Sequence, residues 1–274
     1  MTKREIDELI RAGNLSGAIQ EATQQVRAYP IDLTARVSLF ELLCLIGEFD
    51  RAEKQLDVLE QQREKTDLGV QVYRNCLSAE RERRRVYAGE VEPHFLNEPP
   101  SYIDLNLEAI RHAKEERFAD ARKALDQAEE ERPALSGRLN DKAFQDFRDS
   151  DDFTAPVLEL FVHDKFTWLP LQQIRTLEIL PPKQLRDLLW ASARIESVNG
   201  TKGEVIVPAL YNGTSMDSND QVRLERLTDW RLIAEDLYRP AGLRMFLADD
   251  EDQSIFELKL VSFDVPGNAD SLVA

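Results

Sequence analysis

Apolar positions fall into two textures along the chain. Up to Pro133 they recur every three or four residues, the period of a helix with one buried face. The stretch from Ile31 to Gly47 carries Val37, Phe40, Leu43, Leu45 and Ile46 and ends in glycine, which predicts a helix and its stop. Residues 48–62 follow with Phe49, Ala52, Leu56 and Leu59 on one face. Residues 117–132 do the same with Phe118, Ala121, Leu125 and Ala128. A long helix is predicted over 68–88, and a loop over 88–101, where three prolines fall.

An internal period organises these helices. Gly13, Leu15 and Ala18 recur as Gly47, Phe49 and Ala52, an offset of 34 residues, the length of a tetratricopeptide repeat. A third copy starts at Phe118 and Ala121, and Pro133 follows Ala121 at the distance Pro30 keeps from Ala18. The alanine lets two helices approach closely, and the proline cannot continue a helix. The pattern predicts two adjacent repeats, an extra helix and a degenerate third repeat. In this frame the groove-facing positions of the first helices are Val37, Glu41 and Cys44, then Ile103, Asn106 and Ile110. A repeat array with such a concave strip can take an amphipathic helix of a partner. Packing against a neighbouring helix is the competing reading at each position, and the stronger one for Cys44.

After Pro133 the texture changes to short runs rich in Val, Ile, Leu and aromatics: 157–171, 191–198, 203–211, 221–233, 243–248 and 254–263. Turn-like stretches separate them. Ile255, Glu257 and Lys259 alternate with Phe256, Leu258 and Leu260, the signature of a strand. One helix is predicted over 181–192, with Pro182 in its first turn and Leu185, Leu188 and Leu189 on its apolar face. No strand–helix–strand alternation occurs. The fold class expected is therefore a two-domain α+β protein, with tetratricopeptide-like helical hairpins over 1–133 and a mainly antiparallel α+β domain over 134–274.

Composition narrows the function. Hydrophobic residues make up 42% and charged residues 31%, and the net charge is −16. Such an acidic chain lacks the clustered Lys and Arg of a general nucleic-acid binder or of a protein docking on anionic membranes. No run approaches 18 apolar residues, and the start lacks a signal-peptide pattern, so a cytoplasmic location is expected. Cys44 and Cys76 read as small buried hydrophobes in a reducing compartment.

Catalytic equipment is sparse. His94, His112 and His163 have no metal-ligand spacing, and no phosphate-cradling or nucleophile-elbow motif is present. No cofactor or metal is expected. His163 beside Asp164 reads as a strand end more readily than as an oriented base. The clusters Asp146–Asp152 and Asp249–Asp252 lack the glycine and distal glutamate of a calcium loop, so solvated loops or helix caps are expected. Arg81, Arg83, Arg84 and Arg85 form the one basic run, read first as a helix surface paired with glutamates and second as a docking patch for an acidic helix. Arg186 and Trp190, four apart, are placed to meet in a cation–π contact. These two, with Asp187, Tyr211, Asp229 and Trp230, are read as structural. The rival is a hydrolase or transferase using Asp187, Asp229 or His163 as acid or base.

Three ordered motifs add a resemblance: Pro182 to Trp190 (P-x-x-L-R-D-L-L-W), Gly203 to Tyr211 (G-E-V-x-x-P-A-L-Y) and Thr228 to Trp230 (T-D-W). Trp168, Leu169, Pro170 and Ile174 precede them in the same arrangement. Together they resemble the ImpE/SciE/TagJ family of type VI secretion accessory proteins. The chain departs from it at Asp164–Lys165, Asn212–Gly213–Thr214 and Arg226–Leu227, all in loop-like stretches. The resemblance implies a cytoplasmic, non-enzymatic adaptor. Its implied partner is the small subunit of the contractile sheath, held through a short N-terminal helix, and it would thereby link the sheath to the AAA+ ATPase that recycles it.

Overall fold

The computed structural model describes residues 3–62 and 68–264, so residues 1–2, 63–67 and 265–274 of the two predicted regions lie outside the described residues. Seven helices come first: α1 (Lys3–Arg11), α2 (Leu15–Ala28), α3 (Leu33–Leu45), α4 (Phe49–Gln62), α5 (Leu68–Tyr87), α6 (Tyr102–Lys114) and α7 (Phe118–Glu131). They form three antiparallel hairpins, α1/α2, α3/α4 and α6/α7, with α5 as the extra helix. Ala18, Ala52 and Ala121 each occupy the fourth position of the second helix, and each is fully buried. The turn inside each hairpin is also the same. Gly13 (φ +76°) and Gly47 (φ +67°) take the left-handed conformation that closes α1 and α3. The third hairpin keeps this turn without glycine: Glu116 stands there at φ +59°. In all three, the left-handed residue and its successor donate back to the helix in the same pattern, as Glu116 N–H does to Ala113 O and Arg117 N–H to His112 O.

The strands follow: β1 (Gly137–Leu139), β2 (Lys142–Phe144), β3 (Phe147–Asp149), β4 (Val157–Val162), β5 (Lys165–Pro170), β6 (Ile174–Ile179), β7 (Trp190–Ser197), β8 (Lys202–Pro208), β9 (Asp229–Ala234), β10 (Leu237–Ala241), β11 (Met245–Ala248), β12 (Glu251–Ser254) and β13 (Leu260–Phe263). Two short helices interrupt them, α8 (Leu185–Leu189) and α9 (Asp220–Arg223). The main sheet is antiparallel in the order β2-β1-β13-β6-β7-β8-β4-β5. A three-stranded sheet, β12-β11-β3, and the hairpin β9–β10 stand apart from it. Residues 88–101 run along the β5 edge, where His94 bridges to Thr167.

Strand alternation gives the main sheet two different faces. On β4, Val157 and Phe161 join the cluster built by the helices, while Leu158 and Leu160 join a second cluster behind the sheet. Phe166 and Trp168 of β5 and Trp190 of β7 also face the helices. One apolar cluster therefore runs from Ile6 and Leu15 through Leu107 to Trp168 and Leu237, spanning the helical and the stranded regions. Farther along β6–β8 the helices no longer cover that face. There Glu178, Arg194 and Glu204 form a cross-strand ladder of ion pairs at 3.4 and 3.2 Å.

Three local expectations need correction. The predicted helix over 181–192 shrinks to the single turn α8: at its start Asp187 Oδ2 accepts from Lys183 N–H (2.8 Å) and Gln184 N–H (3.0 Å) and caps it, and at its end the chain enters β7, which pairs with β8. Pro182 precedes it and Trp190 already belongs to β7. The predicted strand over 254–263 starts as a 3-10 turn, Ile255–Glu257, so burial follows period three: Ile255, Leu258 and Val261 are buried and Leu260 is half exposed. The run 221–233 begins in α9, and only its second half is strand.

Candidate functional site

A cleft of about 450 Å³ opens between α1, α3 and residues 182–188. Its apolar lining comes from Ile6, Ile10, Val37, Leu42, Leu185 and Leu188. Asp7, Arg11, Glu41 and Lys183 place charges around it. Val37 and Glu41, one helical turn apart on α3, thus lie together in an open concavity. The other predicted groove positions do not. Ile103, Asn106 and Ile110 are at most 3% exposed, because the strands and their loops cover the face of α6 that an open repeat would display. Asn106 Nδ2 donates to the carbonyls of Asp152 (3.2 Å) and Phe153 (3.4 Å), which ties α6 to the stranded region. Cys44 is buried under the cleft wall, and burial pushes its thiol well up.

The motif residues at 186–190 build one side of this cleft. Arg186 lies 3.2 Å from Glu41 Oε1 and sits over the ring of Tyr73 at 4.7 Å. The expected contact with Trp190 is absent because Trp190 has left the helix. Instead Tyr73 is the intermediary, stacked on Trp190 at 6.4 Å. Trp190 Nε1 donates to Glu80 Oε1 at 3.1 Å. Burial raises the Tyr73 hydroxyl against the pull of Arg186. The chain Glu41–Arg186–Tyr73–Trp190 therefore joins α3, α8, α5 and β7 and fixes the cleft's shape.

A second polar constellation lies inside the molecule. Glu159, in the apolar run of β4, is fully buried. Arg83 Nη2 (2.6 Å), Tyr87 Oη (2.7 Å) and Arg244 all donate to it. Arg244 also pairs with buried Asp149. The Tyr211 hydroxyl stands 3.0 Å from Asp149 Oδ1 and accepts Met245 N–H at 2.9 Å. Burial would raise the Glu159 carboxyl, but Arg83 and Arg244 bring it down to about 2. Burial lifts Asp149 to about 6, against the pull of Arg244 and with the push of Asp151. A charged residue at an inward position of an apolar strand was the sequence signal for this network. Nothing in the local pattern marks Arg244 as its partner.

The remaining candidates have structural partners. Arg81 binds Asp50 and Glu53, Arg83 is buried, Arg84 stacks over Phe49 at 4.0 Å and donates to Gly47 O, and Arg85 reaches Glu90. The basic run thus holds α5 in place. The cluster Asp146–Asp152 is not a solvated loop: Asp146 pairs with Arg132, Asp149 and Asp151 are buried, and Asp152 pairs with Arg122 and Arg148. Asp249 accepts the N–H groups of Gln145 and Asp146. His163 occupies the exposed β4–β5 turn at φ +55°. Among the described residues no group of three His, Cys, Asp or Glu side chains is arranged to hold a metal ion, and no helix is long and apolar enough to cross a membrane. Asp229 and Trp230 lie on the exposed hairpin, with Trp230 6.4 Å from the ring of Tyr211.

The molecule is thus a helical layer packed on an antiparallel sheet, with a partly apolar cleft between α1, α3 and α8. Comparison with known proteins places this architecture in a family. The family model described as "ImpE protein" matches residues 141–262. The chain is 34% identical over 258 residues to the type VI secretion system accessory component TagJ of Pseudomonas aeruginosa, covering 94% of this chain and 90% of that one. It is also similar to the crystal structure of protein VPA1032 from Vibrio parahaemolyticus, with a TM-score of 0.87, 25% identity, and 95% and 97% of the two chains covered. The chain belongs to the ImpE/TagJ family.

Proposed function

We propose that this chain is a non-enzymatic, cytoplasmic accessory component of type VI secretion. In this reading the α1–α3–α8 cleft holds a short amphipathic helix of the small contractile-sheath subunit and so links the sheath to its recycling AAA+ ATPase. The observation that carries the reading is the cleft: an apolar floor with Asp7, Glu41, Arg11 and Lys183 around it, flanked by the family motif at 182–190. A bound helix would insert residues at i, i+3, i+4 and i+7 over Val37 and Leu188 and set Lys or Arg against Asp7. Residues 1–133 act as a tetratricopeptide-like scaffold for this cleft, and 134–274 form the domain bearing the family motifs. The rival hydrolase has little to work with. Asp187 is spent on capping α8, Asp229 sits on an exposed hairpin and His163 in an exposed turn.

The test is titration calorimetry with a synthetic peptide of the sheath subunit's N-terminal helix. Wild type is expected to bind with a negative heat-capacity change. Val37→Asp and Leu188→Asp, both at partly exposed positions, are expected to weaken binding at least tenfold while circular dichroism stays unchanged. Undiminished binding by both folded variants places the helix elsewhere. No binding by wild type removes the sheath reading.

A further inference from the structure

The α1 wall of the cleft is a helix of nine residues, too short to hold its own place in water, so it sits where its contacts put it. Among the described residues of α1 only Ile6 is buried, and Leu9 and Ile10 are partly covered. Its last turn and the turn into α2 are gripped from the stranded region by residues 219–226, which lie between β8 and β9. Three contacts make the grip. Arg226 Nη2 donates at 2.5 Å to Ile10 O, the carbonyl that Gly13 N–H also reaches at 2.8 Å. Asp220 Oδ2 accepts Leu15 N–H at 3.0 Å, an amide at the start of α2 that has no acceptor within its own helix. Gly13 lies between them, so close that a β-carbon there would stand 2.1 Å from Gln221 Nε2 and 3.3 Å from Arg226 Nη1. The turn thus needs glycine both for its left-handed φ and for this approach. The gripping side chains are themselves oriented: Gln221 Oε1 accepts from Arg226 Nη1 at 3.3 Å, and Asp220 pairs with Arg223. None of residues 219–226 lines the cleft, whereas Ile10 and Arg11, on the gripped turn, do.

We propose that Arg226 is a positioning residue of the α1–α3–α8 cleft. It touches no bound helix. By holding the last turn of α1 it keeps Ile10 and Arg11 where a partner helix meets them. The inference rests on the helix-binding reading of the cleft and adds what sets its affinity from outside. The physical content is preorganisation: a cleft whose wall is in place only part of the time binds with an apparent Kd raised in inverse proportion to that fraction. A guanidinium suits the task. It stays charged, it lies at the negative end of the α1 dipole, and its fork reaches Ile10 O and Gln221 at once. The donor and its acceptor are 216 residues apart. The helical region therefore carries the lining of one wall, and the stranded region carries the bolt that fixes it.

Stopped-flow binding of the sheath-subunit peptide to the full chain tests this, with hydrogen exchange along α1 as the second measurement. Arg226 is exposed, so Arg226→Ala is expected to keep the wild-type unfolding midpoint. It is expected to raise the peptide Kd about three- to tenfold. The loss should appear in the association rate, because fewer clefts are competent while the contacts inside the complex are unchanged. Leu188→Asp, at a residue lining the cleft, should raise the dissociation rate instead. Arg226→Lys keeps a donor for Ile10 O and is expected to restore most of the affinity. Exchange of the α1 amides should quicken in Arg226→Ala and return toward wild type in Arg226→Lys. If wild type binds and Arg226→Ala binds equally well, the positioning role is overturned and the helix-binding reading stands. Unchanged α1 exchange in Arg226→Ala overturns the positioning role whatever the peptide does. No binding by wild type overturns the helix-binding reading and this inference with it.

Discussion

The two sides of the main sheet solve the same packing problem with different chemistry. Behind the sheet lie four phenylalanines, Phe144, Phe147, Phe246 and Phe263, with ring centres 5.4 to 6.0 Å apart in an apolar cluster. On the helix-facing side the apolar cluster abuts the buried Arg83–Glu159–Arg244–Asp149 network. An apolar cluster tolerates changes of shape, whereas each member of a buried ionic network needs its partner. The helix-facing side therefore dictates how α5 sits on β4, and the phenylalanine side supplies adhesion with little demand on orientation.

The sharpest way to break this contrast is to remove one charge. Arg244→Met leaves Glu159 and Asp149 short of a partner and is expected to cost about 3–5 kcal/mol in urea unfolding. Phe147→Leu, on the other side, is expected to cost roughly 1–2 kcal/mol. Equal losses would dissolve the distinction. The two sides should also differ in pH response. The Glu159 carboxyl is lowered from 4.5 to about 2, so its contribution is complete above 4.5 and is lost as the pH falls toward 2. Asp149, raised to about 6, has the opposite sign: stability from this group falls as the pH rises from about 4 toward 6. Stability measured from pH 5 down to pH 2 should thus fall less steeply in Glu159→Gln than in wild type, while Phe147→Leu keeps the wild-type profile. Within the helical region, Ala52→Leu is expected to overpack the α3/α4 hairpin by about 1–3 kcal/mol. An unchanged midpoint would show room beside Ala52. The smallest effect is a gain: Glu116→Gly relieves a left-handed residue and should stabilise the fold by about 1 kcal/mol, read as a raised thermal midpoint.

Local signals carried the helical region further than the stranded one. Gly13, Gly47 and the three alanines mark hairpin turns and close helix contacts, and both are decided within a few residues. The third turn escaped the glycine signal because its geometry is held by hydrogen bonds to α6 even with Glu116 in place. In the stranded region, the pairing of Trp190 with Pro208 of β8 ended a helix whose apolar period ran on to that residue. Around Ile255 a 3-10 turn and a strand offer nearly the same alternation over six residues. The cleft was half legible. Val37 and Glu41 could be placed from the repeat, but α1 and α8 complete it from distant parts of the chain. The same frame placed Ile103 and Ile110 in a groove, because no local pattern shows that strands cover α6.

The position of β13 sets an order on synthesis. This last described strand lies between β1 and β6, with Leu139 facing Val261. A ribosome adding about 5–20 residues per second delivers β1 many seconds before the strand it must pair with. Through that interval β1 and β2 lack the strand that joins them to the sheet, and the flank of β6 has no native partner. The helices can be made early, yet their apolar face waits for β4 and β5. The nascent chain is thus exposed in proportion to how late its final segment emerges, and a message truncated before residue 260 would yield a protein with a split sheet rather than a shortened one.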